Sequence, residues 1–139
     1  MLQALLQSNI RHERENDILK SDTFDYANAS LLANEIVKLK TKPQCYICSN
    51  DFMARCVCNA LALLNIRVPQ DVFVIGYDDA IDSVSAHPTI TTVGMNKEYL
   101  GAEAVRTLGY RIDNPTAPKR TITIDSVIKT RESTNRKIN

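Results

Sequence analysis

The sequence has no excess of charge of either sign, because 17 lysines and arginines are matched by 16 aspartates and glutamates. A net charge of +1 gives no electrostatic footprint for nucleic acid or for anionic lipid. No apolar run approaches the roughly 20 residues that a helix needs to cross a bilayer. Residues 1–6 are too short and uncharged for a signal peptide, so we expect a cytoplasmic protein.

Residue sets typical of an enzyme are also lacking. His12 lies among charged residues and His87 precedes a proline, and neither has a partner in a catalytic arrangement. The sequence contains four cysteines in one predicted strand and the helix after it: Cys45, Cys48, Cys56 and Cys58. Structural zinc ligands usually lie on turns, so zinc is the weaker alternative and we interpret these thiols as small buried hydrophobic groups. We therefore expect no enzyme, no metal and no cofactor.

Strand and helix patterns alternate along the 139 residues, a length that suits one domain. Strands are predicted at Ile18–Thr23, Gln44–Ser49, Val72–Gly76 and Thr89–Val93, and helices at about Leu31–Leu39, Asp51–Leu64 and Lys97–Ile112. Val72–Gly76 is apolar throughout, which is typical of a strand covered on both faces in a parallel sheet. The alternation predicts an α/β fold with right-handed crossovers.

The two ends of the chain depart from this alternation of strands and helices. A last strand predicted at Thr121–Thr130 breaks its alternation at Asp125–Ser126, which indicates a bulge or a passage between two sheets. Residues 80–88 look irregular, and the polar tail from Arg131 is expected to fray. A helical pattern at Leu2–Leu6 has no strand before it, so we expect a domain truncated at its N-terminus.

Aromatic and polar side chains follow three of the predicted strands. In an open α/β sheet, ligands bind outside the carboxyl ends of the strands. These strand ends carry Phe24, Ser49–Asp51 and Tyr77–Asp79, which we expect to converge on one crevice, with Asp51 and Tyr77 as possible secondary ligand contacts. An aromatic ring stacks on sugar or base faces, and amides and carboxylates bind hydroxyl groups. The alternative is that these residues only cap helices and turns.

The predicted helix Asp51–Leu64 is apolar almost all round, with Arg55 and Asn59 as its main polar positions. A helix of this kind is covered on two sides. One cover is the sheet, and the other is either a second subunit or another part of the same lobe. We favour a two-fold homodimer, the commonest oligomer. The predicted interface positions on this helix are Phe52, Arg55, Cys56, Val57, Asn59 and Ala60.

Several segments, in order along the chain, resemble the effector-binding domain of LacI/GalR-family transcription repressors. They are Cys48–Arg55, Ile66–Asp79, Pro88–Val93, Leu100–Gly101 and Val127–Thr134. The resemblance implies one lobe of a type I periplasmic-binding-protein-like fold, a three-layer domain built on a parallel sheet. In that family a small molecule binds between two lobes, and a separate helix-turn-helix domain, not found in this sequence, binds operator DNA.

The resemblance also assigns roles to residues. It implies that Phe24 stacks on the ligand, that Asn50 and Asp78 are polar effector contacts, and that Ile81 joins the dimer interface. Met95 departs from the pattern, since some members carry a polar contact there. Residues 1–135 would be the C-terminal part of the effector-binding domain, and 136–139 a frayed tail. Residues 1–88 and about 126–135 would form its C-terminal lobe, and 89–125 crossover elements of the other lobe.

The function predicted from this resemblance is effector sensing in a DNA-binding repressor. The expected effector is a sugar, a sugar phosphate or a purine, and the expected assembly is a homodimer that meets operator DNA only through a further domain. The alternative is a periplasmic-type sugar-binding protein for transport, which shares the fold. A helix-turn-helix upstream would support the first and a signal peptide the second.

Overall fold

A computed structural model describes residue 7, residues 29–39 and residues 42–136. Its helices are α1 (Ala29–Lys38), α2 (Asp51–Leu63), α3 (Ile81–Ser85) and α4 (Lys97–Asp113). Its strands are β1 (Cys45–Ile47), β2 (Phe73–Tyr77), β3 (Thr91–Met95) and β4 (Ser126–Lys129). A 3₁₀ turn at Glu132–Thr134 follows β4. The helix predicted at Leu2–Leu6 and the strand predicted at Ile18–Thr23 lie outside the described residues.

Over the described residues, the strands form one sheet in the order β1-β2-β3-β4. The first three are parallel, with Ile47 opposite Ile75 and Tyr77 opposite Val93. Strand β4 runs antiparallel to β3. The predicted α/β class with a parallel sheet is therefore confirmed, with β4 as an antiparallel edge of the described sheet. Strand β3 belongs to this sheet because it is hydrogen-bonded to both neighbours.

Helix α2 begins where the sequence predicts because Asn50 caps it. The Asn50 side-chain oxygen accepts a hydrogen bond from the backbone N–H of Met53 at 2.8 Å, which satisfies one of the free donors of the first turn. Helix α2 packs between the sheet and α1, and residues from all three form the buried core together with Val72, Ala86 and Ile90 from the connecting segments. Its members are Ala33, Ile36, Ala54, Val57, Cys58, Ala60, Leu61, Val72, Val74, Ala86 and Ile90.

The prediction that the chain frays from Arg131 onward is wrong for residues 131–136, whereas residues 137–139 of the predicted tail lie outside the described residues. Ser133 is fully buried, and its hydroxyl donates to the carbonyl of Val74 at 2.6 Å and accepts from the N–H of Thr91 at 2.8 Å. These partners are distant in sequence, so no local pattern indicates them. The Arg136 guanidinium also lies 4.7 Å from the centre of the Phe73 ring. The 3₁₀ turn therefore fastens β2 to β3.

Two other predictions need correction. The predicted last strand begins only at Ser126, and residues 121–125 have no strand structure, so the break at Asp125–Ser126 marks where pairing with β3 starts. The stretch 80–88, predicted to be irregular, contains the short helix α3. Ser83 in this helix is fully buried and donates its hydroxyl to the carbonyl of Ala80.

Helix α4 forms where predicted but buries no side chain within the described part of the chain. Its apolar stripe and two isoleucines before β4 border an open groove of about 470 Å³. The apolar residues along the groove are Leu100, Ala104, Leu108, Ile122 and Ile124. The stripe thus has the helical spacing that the sequence predicts, without a described element packed on it.

Candidate functional site

Strands β1 and β2 end at the same edge of the sheet because they are parallel neighbours in register. The N–H of Cys48 donates to the carbonyl of Ile75 at 2.8 Å, which extends the pairing to this edge. Asn50 follows β1 and Asp78 follows β2, so the topology brings both predicted contacts to one edge. Phe24, the third predicted contact, lies outside the described residues.

Asn50 serves as a helix cap, as the alternative interpretation expected. Its side-chain oxygen is used by the N–H of Met53, and its extended backbone, with φ −157°, is the usual cap conformation. The amide nitrogen of this side chain is a donor that capping does not use. Capping therefore leaves Asn50 able to donate a hydrogen bond to a ligand hydroxyl, and that contact stays a prediction.

Asp78 has a backbone conformation that residues with side chains seldom adopt. Its φ is +94°, and its N–H donates to the carbonyl of Val93 at 2.9 Å. The residue is half-buried, and its carboxylate makes no hydrogen bond to any described residue. Uncommon backbone conformations in folded proteins cluster at functional sites. Asp78 thus presents a carboxylate that the described fold does not itself use.

Asp79 is the best-held carboxylate at this edge. It accepts from Arg131 at 2.6 Å and from Lys129 at 2.5 Å, and its φ of +49° is again left-handed. The hydrogen bonds from Arg131 and then Lys129 lower the pKa of Asp79, so the carboxylate stays ionised. Lys129 and Arg131 were not predicted as part of the site. No local pattern indicates them, because they lie 50 and 52 residues from Asp79 in sequence.

Asp51 is buried and has a structural role. It is fully buried, and one carboxylate oxygen accepts the N–H of Ala80 at 2.6 Å. The other oxygen faces the backbone of Gly76 and has no hydrogen-bond partner among the described residues. The predicted ligand contact of Asp51 therefore lacks accessible surface, because this side chain ties the start of α2 to the loop after β2. Tyr77, the other secondary position, is exposed at the edge.

A family model described as a periplasmic binding protein-like domain matches residues 1–134. The chain belongs to this family. The HTH-type transcriptional repressor PurR of Mannheimia succiniciproducens is 32% identical over 132 residues, which are 95% of this chain and 39% of the relative. The ribose operon repressor of Haemophilus influenzae is 31% identical over 110 residues, which are 79% of this chain and 33% of that repressor.

Solved structures agree with this assignment. A transcriptional regulator CelR–cellobiose complex has a TM-score of 0.80 and 26% identity, over 94% of this chain and 39% of that one. The Lac repressor bound to ONPG shares the fold, with a TM-score of 0.78 and 21% identity over 95% of this chain and 39% of that one. The predicted resemblance to LacI/GalR regulators is thus confirmed. This periplasmic binding protein-like domain spans 39% of the first curated relatives that it matches.

In this periplasmic binding protein-like domain, the predicted dimer residues divide into two groups. Cys56, Val57 and Ala60 are buried inside the chain, and Val57 and Ala60 belong to the core that α1 and α2 share. They offer little surface to a partner, so cover from the same lobe explains much of the apolar character of α2. Asn59 and Ile81 are exposed, and Ile81 retains 76% of its accessible surface.

The two remaining interface positions lie where α2 meets α3. The Arg55 guanidinium pairs with Asp82 of α3 at 2.9 Å and lies 5.8 Å from the centre of the Phe52 ring. Both Phe52 and Arg55 are half-buried. These contacts connect α2 with the helix that carries Ile81, so the four positions that keep some surface belong to two contacting helices.

The cysteines behave as hydrophobic groups. Burial raises the pKa of Cys48 and of Cys58 to about 12, so both remain neutral thiols. Cys56 and Cys58 are buried, as predicted, and Cys45 and Cys48 are half-buried. Residues 29–39 and 42–136 contain no group of three or more His, Cys, Asp or Glu residues arranged to hold a metal. In the same ranges, no helix combines the length and the hydropathy needed to cross a membrane.

Proposed function

We propose that this chain is the effector-sensing part of a LacI/GalR-type transcription repressor, acting in the cytoplasm and without enzymatic activity. The observation that carries the proposal is that relatives matched over 95% of the chain are transcription repressors. The geometry supports it, because the family fold places unused polar groups of Asn50 and Asp78 at one sheet edge. Operator DNA would be bound by a helix-turn-helix domain elsewhere in the full-length protein.

The chemistry of this edge suits a neutral polar ligand. The carboxylate of Asp78 would accept hydrogen bonds from hydroxyl or ring N–H groups, and the amide nitrogen of Asn50 would donate one. We infer that Phe24 stacks on the apolar face of the ligand. At the described part of this edge, Lys129 and Arg131 are already paired with Asp79 and are therefore not free to bind a phosphate group. A sugar or a purine fits it better than a sugar phosphate.

We assign residues up to Met95 and from about Ser126 onward to the C-terminal lobe of a two-lobed fold. The first boundary moves from residue 88 to residue 95 because β3 pairs with β2 and β4. Helix α4 would belong to the other lobe, where its apolar stripe would be covered. The effector would prefer one arrangement of the lobes and shift the population toward it.

Titration of the full-length protein with ribose, cellobiose, guanine and hypoxanthine tests this function. One of these probes is expected to bind, and Asp78→Ala is expected to weaken that binding at least about tenfold. A hydrogen bond to a charged group contributes about 1.5–3 kcal/mol, and 1.4 kcal/mol is tenfold in affinity. Calorimetry measures the dissociation constant, and Asp113→Ala, at the exposed end of α4, is the matched control.

Two results would contradict these assignments. Equal affinity of wild type and Asp78→Ala for the bound probe would remove Asp78 from the site. Probe binding by a full-length protein that carries a signal peptide and does not retard operator DNA would favour the transport alternative.

We also propose a homodimer formed by the exposed parts of α2 and α3, with Phe52, Arg55, Asn59 and Ile81 in the interface. Ile81→Glu is expected to raise the dimer dissociation constant about a hundredfold, because it buries an unpaired charge where an apolar side chain would pack. Sedimentation velocity across a concentration series measures this constant. Val37→Glu, at an exposed position of α1, is the control. A monomeric wild type, or a dimer unaffected by Ile81→Glu, would refute the interface.

A further inference from the structure

Asp79, Lys129 and Arg131 form an ion cluster, here named the Asp79 clamp, between segments 50 and 52 residues apart in sequence. Each basic side chain uses a different oxygen of the carboxylate. Only 20% of the Asp79 side chain and 18% of the Arg131 side chain are exposed, so solvent screens their pair less than a surface pair. Arg131 also donates to the carbonyl of Ile90 at 2.9 Å, which holds it against β3.

Strand β3 leaves room for the clamp at Gly94. A Cβ atom at this glycine would lie 2.9 Å from the Cβ of Asp79, closer than non-bonded carbon atoms approach. The N–H of Asp79 donates to the hydroxyl of Thr92 in the same strand at 3.3 Å. Asp79 is therefore held by β3 through its backbone, and through its side chain by Lys129 at the end of β4 and by Arg131, two residues further on.

The clamp acts on the backbone that presents Asp78. Asp78 and Asp79 both have positive φ, an arrangement that costs energy and persists where neighbouring groups hold it. The Asp78 side chain has no hydrogen bond within the described ranges, so its direction follows from the backbone on either side. On one side this backbone is the end of β2, and on the other it is the clamped residue Asp79.

We propose that Asp79 is a positioning residue for the ligand contact Asp78, and that its pairing with Lys129 and Arg131 makes β4 part of the site's support. The role of Asp78 as a ligand contact rests on the proposed function. The positioning of the Asp78 backbone by Asp79 does not depend on that function. A shift of β4 along β3 would move Asp79 and with it Asp78. Ligand affinity at Asp78 and the position of β4 are then coupled in both directions.

Hydrogen–deuterium exchange of the full-length protein tests the positioning role without any ligand. Asp79→Asn is expected to speed exchange of the amides of residues 78–80 roughly tenfold, with strand β2 unchanged, because only the local opening becomes easier. Asparagine tolerates a left-handed backbone as well as aspartate does, so the variant removes the charge without changing backbone preference. Asp71→Asn is the matched control, since Asp71 pairs with Arg67 at 2.7 Å at the other end of β2.

Substitution of Arg131, which pairs with Asp79, provides a second test of the positioning role. Arg131→Gln is expected to speed the same amides, and the double variant Asp79→Asn/Arg131→Gln to exchange no faster than the faster single variant, because both changes break one interaction. Lys129→Arg, which keeps the charge, is expected to exchange as wild type does. Additive effects in the double variant would show that Asp79 and Arg131 act separately and would overturn the clamp.

The outcomes separate this inference from the proposed function. Wild-type exchange at residues 78–80 in Asp79→Asn, or faster exchange spread evenly through β2, would overturn the positioning role. Where a probe from the ribose, cellobiose and purine panel binds, Asp79→Asn is expected to weaken it about tenfold, with Asp71→Asn unchanged. Binding of none of these probes by wild type would count against the proposed function, while the exchange data would still decide the clamp.

Discussion

Replacing Leu61 by alanine is expected to lower the free energy of unfolding by about 2–5 kcal/mol, the usual range for a buried leucine. Leu61 retains 1% of its accessible surface and lies in the core between α1, α2 and the sheet. The truncation removes apolar contacts and leaves a cavity that a close-packed core closes only in part. Urea denaturation followed by circular dichroism measures the change.

Leu63→Ala provides the matched control, because it is the same substitution two residues later in the same helix. Leu63 is 61% exposed, so its truncation is expected to change stability by no more than about 0.5 kcal/mol. Equal losses of stability for the two variants would mean that Leu61 does not lie on the face of α2 that packs against α1 and the sheet. A large loss for Leu63→Ala alone would indicate that a partner subunit covers this position.

Replacing Gly76 by alanine is expected to destabilise the fold by about 3 kcal/mol, at the upper end of the range for overpacking a core. A Cβ atom at Gly76 would lie 2.1 Å from a carboxylate oxygen of Asp51 and 3.2 Å from its Cα. Asp51 cannot easily move away, because it is fully buried and its other oxygen accepts the N–H of Ala80. The loop that carries Asp78 is expected to shift as well.

Gly101→Ala is expected to change the stability of the fold in the opposite direction from Gly76→Ala. Nothing lies within 4 Å of a Cβ atom at Gly101, which is in the interior of α4, so alanine is expected to stabilise the helix by about 0.5–1 kcal/mol. The pair is compared by urea denaturation under identical conditions. A Gly76→Ala variant as stable as wild type would contradict the close approach of Asp51 to β2.

Local patterns were sufficient to place most of the described elements. Helix α2 was predicted to start at about Asp51 because Ser49, Asn50 and Asp51 are all good caps, and the structure shows that Asn50 is the cap. The apolar run Val72–Gly76 predicted a parallel strand covered on both faces, and β2 covers Phe73–Tyr77 with parallel neighbours on both sides. The described residues bury one face of β2, with Val74 and Gly76, whereas Phe73 and Ile75 on the other face are only half-buried. Such predictions succeed because capping and periodicity depend on residues a few positions apart.

The candidate site was predictable only in outline. The rule that ligands bind at the carboxyl ends of strands selected Ser49–Asp51 and Tyr77–Asp79, and the family resemblance selected Asn50 and Asp78 within them. The parallel register of β1 and β2 brings these two residues to one edge. The same rule also selected Asp51, which the fold buries. Composition cannot distinguish a carboxylate that faces solvent from one that fastens a loop, since both follow a strand.

By itself, the sequence determined the α/β class, the order of the described strands and of the three longer helices, and the family, because these depend on local periodicity and on short ordered motifs. The tertiary structure alone decided three further points: that Ser133 is buried, that α1 covers Val57, and that Asp79 pairs with Lys129 and Arg131. These contacts join residues up to 59 positions apart in sequence. Such contacts exist only once the sheet has brought β2, β3 and β4 together, so no local pattern records them.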